Sequence, residues 1–222
     1  MRLTGGADRE GGGDGPLVVL LHGFGAPGDD LVPLWRQLAV PSGTRFAFPE
    51  APLDLGGGAR AWWMIDIERL ERALRSGELR DMSNETPAGL TEAHAKASAM
   101  LDELDQELAP SSLVLGGFSQ GAMLACDLVL STERQVSGLV LMSTTLLSEP
   151  EWTLRMPKRS GLPVLMSHGR DDPLLPFALG ERLRDLFVAA GLSVEWISFN
   201  GGHGIAPSVL DRLGEFVTRV TR

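Results

Sequence analysis

Residues 112–123 read SLVLGGFSQGAM, and this stretch decides the fold. Leu113, Val114 and Leu115 make an apolar run of strand length. It ends in Gly117-Phe118-Ser119-Gln120-Gly121, a G-x-S-x-G pattern, and helix-forming residues follow at once. A serine on a sharp strand-to-helix turn has its hydroxyl pushed out at the sheet edge, within reach of both a base and a substrate. The two glycines leave room for a turn that a Cβ would crowd. The spacing therefore predicts a strand, an elbow carrying Ser119, and a helix.

The same alternation extends along the chain. Apolar strand-like runs occur at Leu17–Leu21, Arg45–Phe48, Leu113–Leu115, Gly138–Met142 and Pro163–Met166. Val194–Phe199 alternates more strongly. Continuous apolar strands suit a parallel sheet covered on both faces. Between them lie helical periodicities. Thr86-Pro87 predicts an N-cap and first turn for a helix with Leu90, Ala93, Ala97, Leu101, Leu104 and Leu108 on one face. A second helix carries Leu179, Leu183, Leu186 and Phe187 and stops at Gly191; a last one opens at Pro207. This predicts an α/β chain: a doubly wound, mostly parallel sheet with helices on both faces, in one domain over residues 1–222. Residues 1–15, rich in glycine, are expected to be flexible or to form a hairpin.

Composition narrows the function classes. The net charge of −9 over 222 residues disfavours binding to nucleic-acid phosphates or anionic lipid. No apolar run reaches the roughly 18 residues that a membrane helix needs. A single cysteine, Cys126, allows no internal disulfide, and the N-terminus has no apolar signal region, so a cytoplasmic location is expected. The histidines show no metal-ligand spacing. The expected partner is a small molecule, and the expected state is a monomer or a homodimer.

A serine hydroxyl needs a base, and the base needs an orienting group. Asp172 lies in an Asp-Pro turn just beyond the strand ending at Met166. His203 lies in the glycine-rich segment Asn200–Gly204 beyond the next strand. The order Ser119, Asp172, His203 is that of an α/β-hydrolase, and each residue falls at a strand's carboxyl end, where open parallel sheets build their sites. Asp171 is the alternative acid. The oxyanion of a tetrahedral intermediate needs amide donors. The Gln120 N–H, at a helix start, is one; Phe24, in the loop HGFGAPGDDL after Leu17–Leu21, supplies the other.

Taken together, LHGFGAPGDDL, GFSQGAM, HGRDDPLLP and GGHGI resemble, in order, the motifs of the phospholipase/carboxylesterase family of α/β-hydrolases, which includes the acyl-protein thioesterases. Ala122 and Gly204 depart from residues common there. The resemblance implies a serine carboxylesterase with little or no cap and no metal or organic cofactor, and it favours Asp172 over Asp171. The alternatives are a thioesterase acting on acyl-protein or CoA-type thioesters, and a non-catalytic ligand-binding relic of the fold.

Other residues are read against ordinary packing. Trp62 and Trp63 resemble an aromatic stretch that walls the family's pocket; in an extended segment only one of them could face substrate. Leu146 and Leu147 could line an acyl site or simply pack, as could Trp152. Arg60 could meet a substrate carboxylate or sit solvated at the surface. His22 and His168 are expected to orient loops, His94 to face solvent, and Cys126 to be a buried, inert thiol.

Overall fold

The structure is a computed structural model that describes residues 1–77 and 80–222. Its strands are β1 (Arg2–Gly5), β2 (Leu17–Leu21), β3 (Arg45–Phe48), β4 (Leu53–Gly56), β5 (Ala59–Ala61), β6 (Leu113–Phe118), β7 (Gly138–Met142), β8 (Pro163–Gly169) and β9 (Ser193–Phe199). The helices are α1 (Ile67–Ser76), α2 (Leu90–Leu108), α3 (Gln120–Ser131), α4 (Glu149–Arg155), α5 (Phe177–Ala189) and α6 (Pro207–Val220). Seven strands form one sheet in the order β1-β3-β2-β6-β7-β8-β9; β1 is antiparallel to β3 and all other neighbours are parallel.

The two-residue period of the strands sorts their side chains into two cores. Leu17, Val19 and Leu21 of β2, Leu113 and Leu115 of β6, and Leu139 and Leu141 of β7 face the layer made by α2, α3, α4 and α5. Val18, Leu20, Val114, Val140 and Leu165 face the opposite layer, where α6 packs with Val209, Leu213, Phe216 and Val217. The register pairs like with like: Leu17 stands beside Leu113, and Leu115 beside Leu139. This is why these strands read as unbroken apolar runs.

The start of the chain is ordered as an edge. β1 pairs with β3, and the buried Arg45 guanidinium donates to the carbonyls of Gly13, Gly15 and Leu108, tying the glycine-rich segment to the sheet. The start predicted for α2 is too early. The helix begins at Leu90 behind Gly89, and the Thr86 hydroxyl bonds to that of Ser148 instead of capping. A tertiary partner has taken the hydroxyl that local sequence assigned to a cap. The cap over the site is small. It consists of α1, capped by the Asp66 side chain on the Arg69 N–H, and the stretch from Arg80 to Gly89. The β4–β5 hairpin, which periodicity did not reveal, lies beside the loop after β2: Gly25 N–H donates to Arg60 O, and Arg60 N–H to Ala26 O.

At Gly121 a Cβ would stand 2.1 Å from the Leu21 carbonyl oxygen, and at Gly117 it would stand 2.5 Å from the same atom. Alanine normally stabilises a helix relative to glycine. Here Gly121→Ala is expected to destabilise by about 1–3 kcal/mol through overpacking, which corresponds to roughly 2–4 °C of Tm per kcal/mol for a chain of this size. Thermal unfolding followed by circular dichroism measures it; an unchanged or raised Tm contradicts the close approach.

Candidate active site

Ser119 has φ 54° and ψ −120°, a backbone conformation that non-glycine residues rarely adopt. Such a residue stores about 1–3 kcal/mol of strain and persists only where its surroundings hold it. The hold is visible. Ser119 N–H donates to Met142 O at the end of β7, and its carbonyl accepts the Met123 N–H in the first turn of α3. The serine thus lies between the carboxyl end of β6 and the amino end of α3, as its sequence setting predicts.

Asp172 and His203 come together beyond β8 and β9. His203 Nδ1 lies 2.7 Å from Asp172 Oδ2, so Nδ1–H donates to the carboxylate and Nε2 is left for the cavity. The other oxygen, Oδ1, accepts the N–H groups of Leu174 and Leu175, both at 2.9 Å. His168 Nε2 approaches Oδ2 at 3.4 Å while donating to Leu175 O at 2.9 Å. Burial alone would raise the Asp172 pKa; hydrogen bonding by His168, His203 and the Leu175 amide outweighs it and holds the carboxyl well below its ordinary range. Asp171 is exposed, and its N–H is bonded to Gly201 O. Ser143 holds the histidine loop by donating its hydroxyl to Gly204 O, and the Phe118 ring packs against His203 at a tilt, with centroids 4.8 Å apart.

A cavity of about 180 Å³ brings Ser119, Gln120 and His203 together with Gly23 and Phe24. Gly23 runs so close to the elbow that a Cβ there would stand 3.3 Å from the Ser119 Cβ. Among the described residues, neither the Phe24 nor the Gln120 N–H has a backbone partner. Both amides remain available for an oxyanion. The rest of the wall is largely apolar, from Trp63, Ile65, Leu70, Met82, Phe118, Met123, Leu174 and Leu175, with Asp30 and Arg80 the charged residues.

The sequence-based pocket residues divide. Trp63 lines the cavity. Trp62 does not: its indole N–H donates to His22 O and its ring packs on the His22 imidazole at 5.6 Å. Leu146 and Leu147 do not line the cavity either; both are fully buried in the core. They follow β7 but turn inward with Trp152, where full burial removes their apolar surface from water. Arg60 points elsewhere, to Ala51 O and Glu50. His94 is not solvated: its Nδ1 lies 2.7 Å from Asp127 Oδ2, while Trp152 Nε1–H donates to Asp127 Oδ1. Cys126 is fully buried, and burial pushes its thiol pKa well up.

The roles of the Gln120 side chain, Arg80 and Met82 were not assigned from sequence, whereas His22 orients its loop as expected. The Gln120 side chain accepts the Trp62 N–H and donates to Trp63 O, clamping the aromatic segment onto the elbow. His22 Nδ1–H donates to Gly23 O and Nε2 accepts the Ala51 N–H, which fixes the neutral tautomer and the loop carrying Phe24. Arg80 and Met82 reach the cavity from a segment without strong periodicity. A polar side chain directly after Ser119 was the available signal for Gln120; nothing local marks Arg80 or Met82. Among the described residues there is no group of three or more His, Cys, Asp or Glu that could hold a metal ion.

Comparison with known proteins places this geometry. The family model described as phospholipase/carboxylesterase matches residues 11–221. Acyl-protein thioesterase 1 of Neurospora crassa is 28% identical over 215 residues, covering 90% of this chain and 85% of that protein. A probable carboxylesterase of Oryza sativa subsp. japonica is 30% identical over 209 residues, covering 90% of this chain and 76% of that one. Among solved structures, esterase PE8 superposes with a TM-score of 0.80 at 29% identity, covering 99% of this chain and all of the other.

The His94–Asp127–Trp152 contact is open to test. Burial raises the Asp127 pKa, but hydrogen bonds from His94 and Trp152 lower it further, for a net depression. A depressed carboxylate contributes stability above its unfolded pKa and loses it as pH falls through the folded value. Asp127→Ala should therefore cost about 1–3 kcal/mol at neutral pH. The gap to the wild type should narrow on acidification toward about pH 3, below the ordinary carboxylate range. Urea denaturation across that range measures it; a gap that stays constant contradicts the assignment.

Proposed function

The chain belongs to the phospholipase/carboxylesterase family, and from that premise we propose that it is a serine carboxylesterase with Ser119, Asp172 and His203 as its catalytic residues. The observation that carries the reading is the 2.7 Å contact of His203 with a buried Asp172, in a cavity that His203 shares with the strained Ser119.

His203 Nε2 takes the Ser119 proton as the hydroxyl oxygen attacks the ester carbonyl. Asp172 keeps Nδ1–H in place and stabilises the imidazolium; it stays ionised, in keeping with its depressed pKa. The Phe24 and Gln120 amides receive the oxyanion, and removing one such donor typically costs about 10²–10³ in kcat. The intermediate collapses, the carbonyl carbon–oxygen bond to the alcohol breaks, and His203 returns the proton to the leaving oxygen. Water, deprotonated by His203, then attacks the acyl-enzyme, releasing the acid and restoring Ser119. No step calls on a metal or an organic cofactor.

The cavity of about 180 Å³ lies below the usual range for drug-sized ligand pockets, roughly 300–1,000 Å³, which favours a short acyl group. Thioesters are the second reading, favoured by the likeness to acyl-protein thioesterase 1. The same elbow and amides serve a thioester, since the thiol leaves more readily than an alcohol. A cytoplasmic setting is supported by the free, buried Cys126. No described helix is long and apolar enough to cross a membrane.

Ser119→Ala should lower nitrophenyl butyrate turnover by about six orders of magnitude, the scale seen when a triad nucleophile is removed, while the circular dichroism spectrum stays native. Retained turnover would sink the assignment. Asp172→Asn should lower kcat by about four orders of magnitude, by analogy with the same change in a serine protease. A series of nitrophenyl esters from acetate upward should peak at a short acyl group, and a matched thioester panel separates the two readings.

A further inference from the structure

Arg80 is the unmatched cation of the cavity. It stands in the cap segment, half-buried, and forms part of the cavity wall together with Leu70 and Met82. Its Nε–H is buried without a hydrogen-bond partner among the described residues. No ion pair joins it to any carboxylate among the described residues. The two acidic groups nearest in effect are engaged elsewhere: Glu85 pairs with Arg69 Nη2 at 2.6 Å, and Asp66 caps α1 through the Arg69 amide. Burial and the neighbouring Arg69 charge both act against the Arg80 cation, and Glu85 and Asp66 only partly compensate. On its other side Arg80 borders a hollow of about 210 Å³ that Asp172 also faces. The Asp172 oxygens are already taken by His203, His168 and two backbone amides.

A half-buried guanidinium without a counter-ion carries part of the cost of burying a charge, and that cost is relieved when a planar anion arrives. The other walls offer no comparable group. Asp30 stands at the edge with exposed surface, while burial of its carboxyl raises its pKa, and being acidic it offers an anion no attraction. The negative charge of the whole chain works against long-range attraction, but that field is damped beyond about 8 Å at physiological ionic strength. Inside the cavity the local cation decides.

We propose that Arg80 is a specificity residue, binding a carboxylate carried by the substrate, so that the preferred substrate is a short ester bearing an anionic end. This rests on the serine esterase reading above. Arg80 does not touch the reacting carbonyl in this scheme; it sets affinity for the charged ester.

Two matched pairs test it. Monomethyl adipate against methyl heptanoate places the carboxylate in the acyl half; the butanoyl ester of 4-hydroxybutanoate against pentyl butanoate places it in the alcohol half. Product release is followed by chromatography for the wild type, Arg80→Met, Arg80→Gln and Arg80→Lys. The expected result is a KM about tenfold or more higher for the charged member of one pair in the Met and Gln variants, the scale of a lost charge-assisted hydrogen bond. The kcat for the charged ester should hold, the KM of the neutral member should change far less than that of the charged one, Arg80→Lys should recover part of the loss, and added salt should raise the wild-type KM for the charged ester alone. Which pair responds identifies the half that carries the anion. Equal effects on charged and neutral esters in both pairs, or no effect, overturn the proposal. If the wild type hydrolyses only the neutral esters, the anion preference fails while the esterase reading stands; if it hydrolyses none of the four, the esterase reading itself fails.

Discussion

The approach of α3 to the Leu21 carbonyl governs how the site is assembled. Hydrogens on Gly117 and Gly121 occupy positions where a Cβ would collide with that oxygen, at 2.5 and 2.1 Å. Because the helix can start that close to β2, the chain reverses within one residue, and Ser119 takes up the strained φ of 54°. The same closeness sets the loop after β2 against the elbow, so Gly23 lies beside the Ser119 Cβ and the Phe24 and Gln120 amides open onto one cavity. Packing in this one place carries both the proposed nucleophile and the proposed oxyanion donors.

Strain at Ser119 has to be held by its neighbours, and the holding groups are mostly backbone. Met142 O fixes the Ser119 amide, Arg60 and Gly25 zip the β4–β5 hairpin to the oxyanion loop, and the Gln120 amide group grips both tryptophans' backbone. His22 completes the frame with one nitrogen donating and the other accepting. The acid follows the same logic. Asp172 is fully enclosed yet ionised because nearly every lone pair has a donor, and that saturation makes it a fixed charge for His203. Positions tied down on this scale are what preorganised electrostatics requires.

The cap is different in character. It is one short amphipathic helix and a linking stretch, and its contribution to the cavity comes from Leu70, Arg80 and Met82. The Asp172 carboxylate has both oxygens engaged, while His168 Nδ1 behind it and the Arg80 Nε–H in the cap are buried without a partner among the described residues. Matched groups hold the proposed chemistry in place, and the unmatched cation at the wall is the basis of the proposed preference among substrates.

Much of this was legible from the order of residues. Continuous apolar runs located the central strands, and G-x-S-x-G, Asp-Pro and the glycine-flanked histidine stood where strands end, so the sheet class and the residues of the candidate site followed from local pattern and known strand-end chemistry. Local pattern failed where a side chain's partner lies far along the chain. Thr86 met Ser148 instead of capping α2, Leu146 and Leu147 turned into the core, and His94 found Asp127 across two helices. Trp62 and Trp63, adjacent in sequence, separated because one indole had a carbonyl to reach and the other did not. Arg60 and Arg80 show the same division. Neither arginine's sequence setting reveals its partners, and only the packing of the hairpin and the cap decides that Arg60 meets Ala51 and Glu50 while Arg80 faces the cavity. The sequence by itself determined the sheet, the elbow and the chemistry at the strand ends, because these depend on periodicity and on turns a few residues long. Tertiary structure alone decided the shape and charge of the pocket, because these depend on which distant groups satisfy one another when the chain is packed.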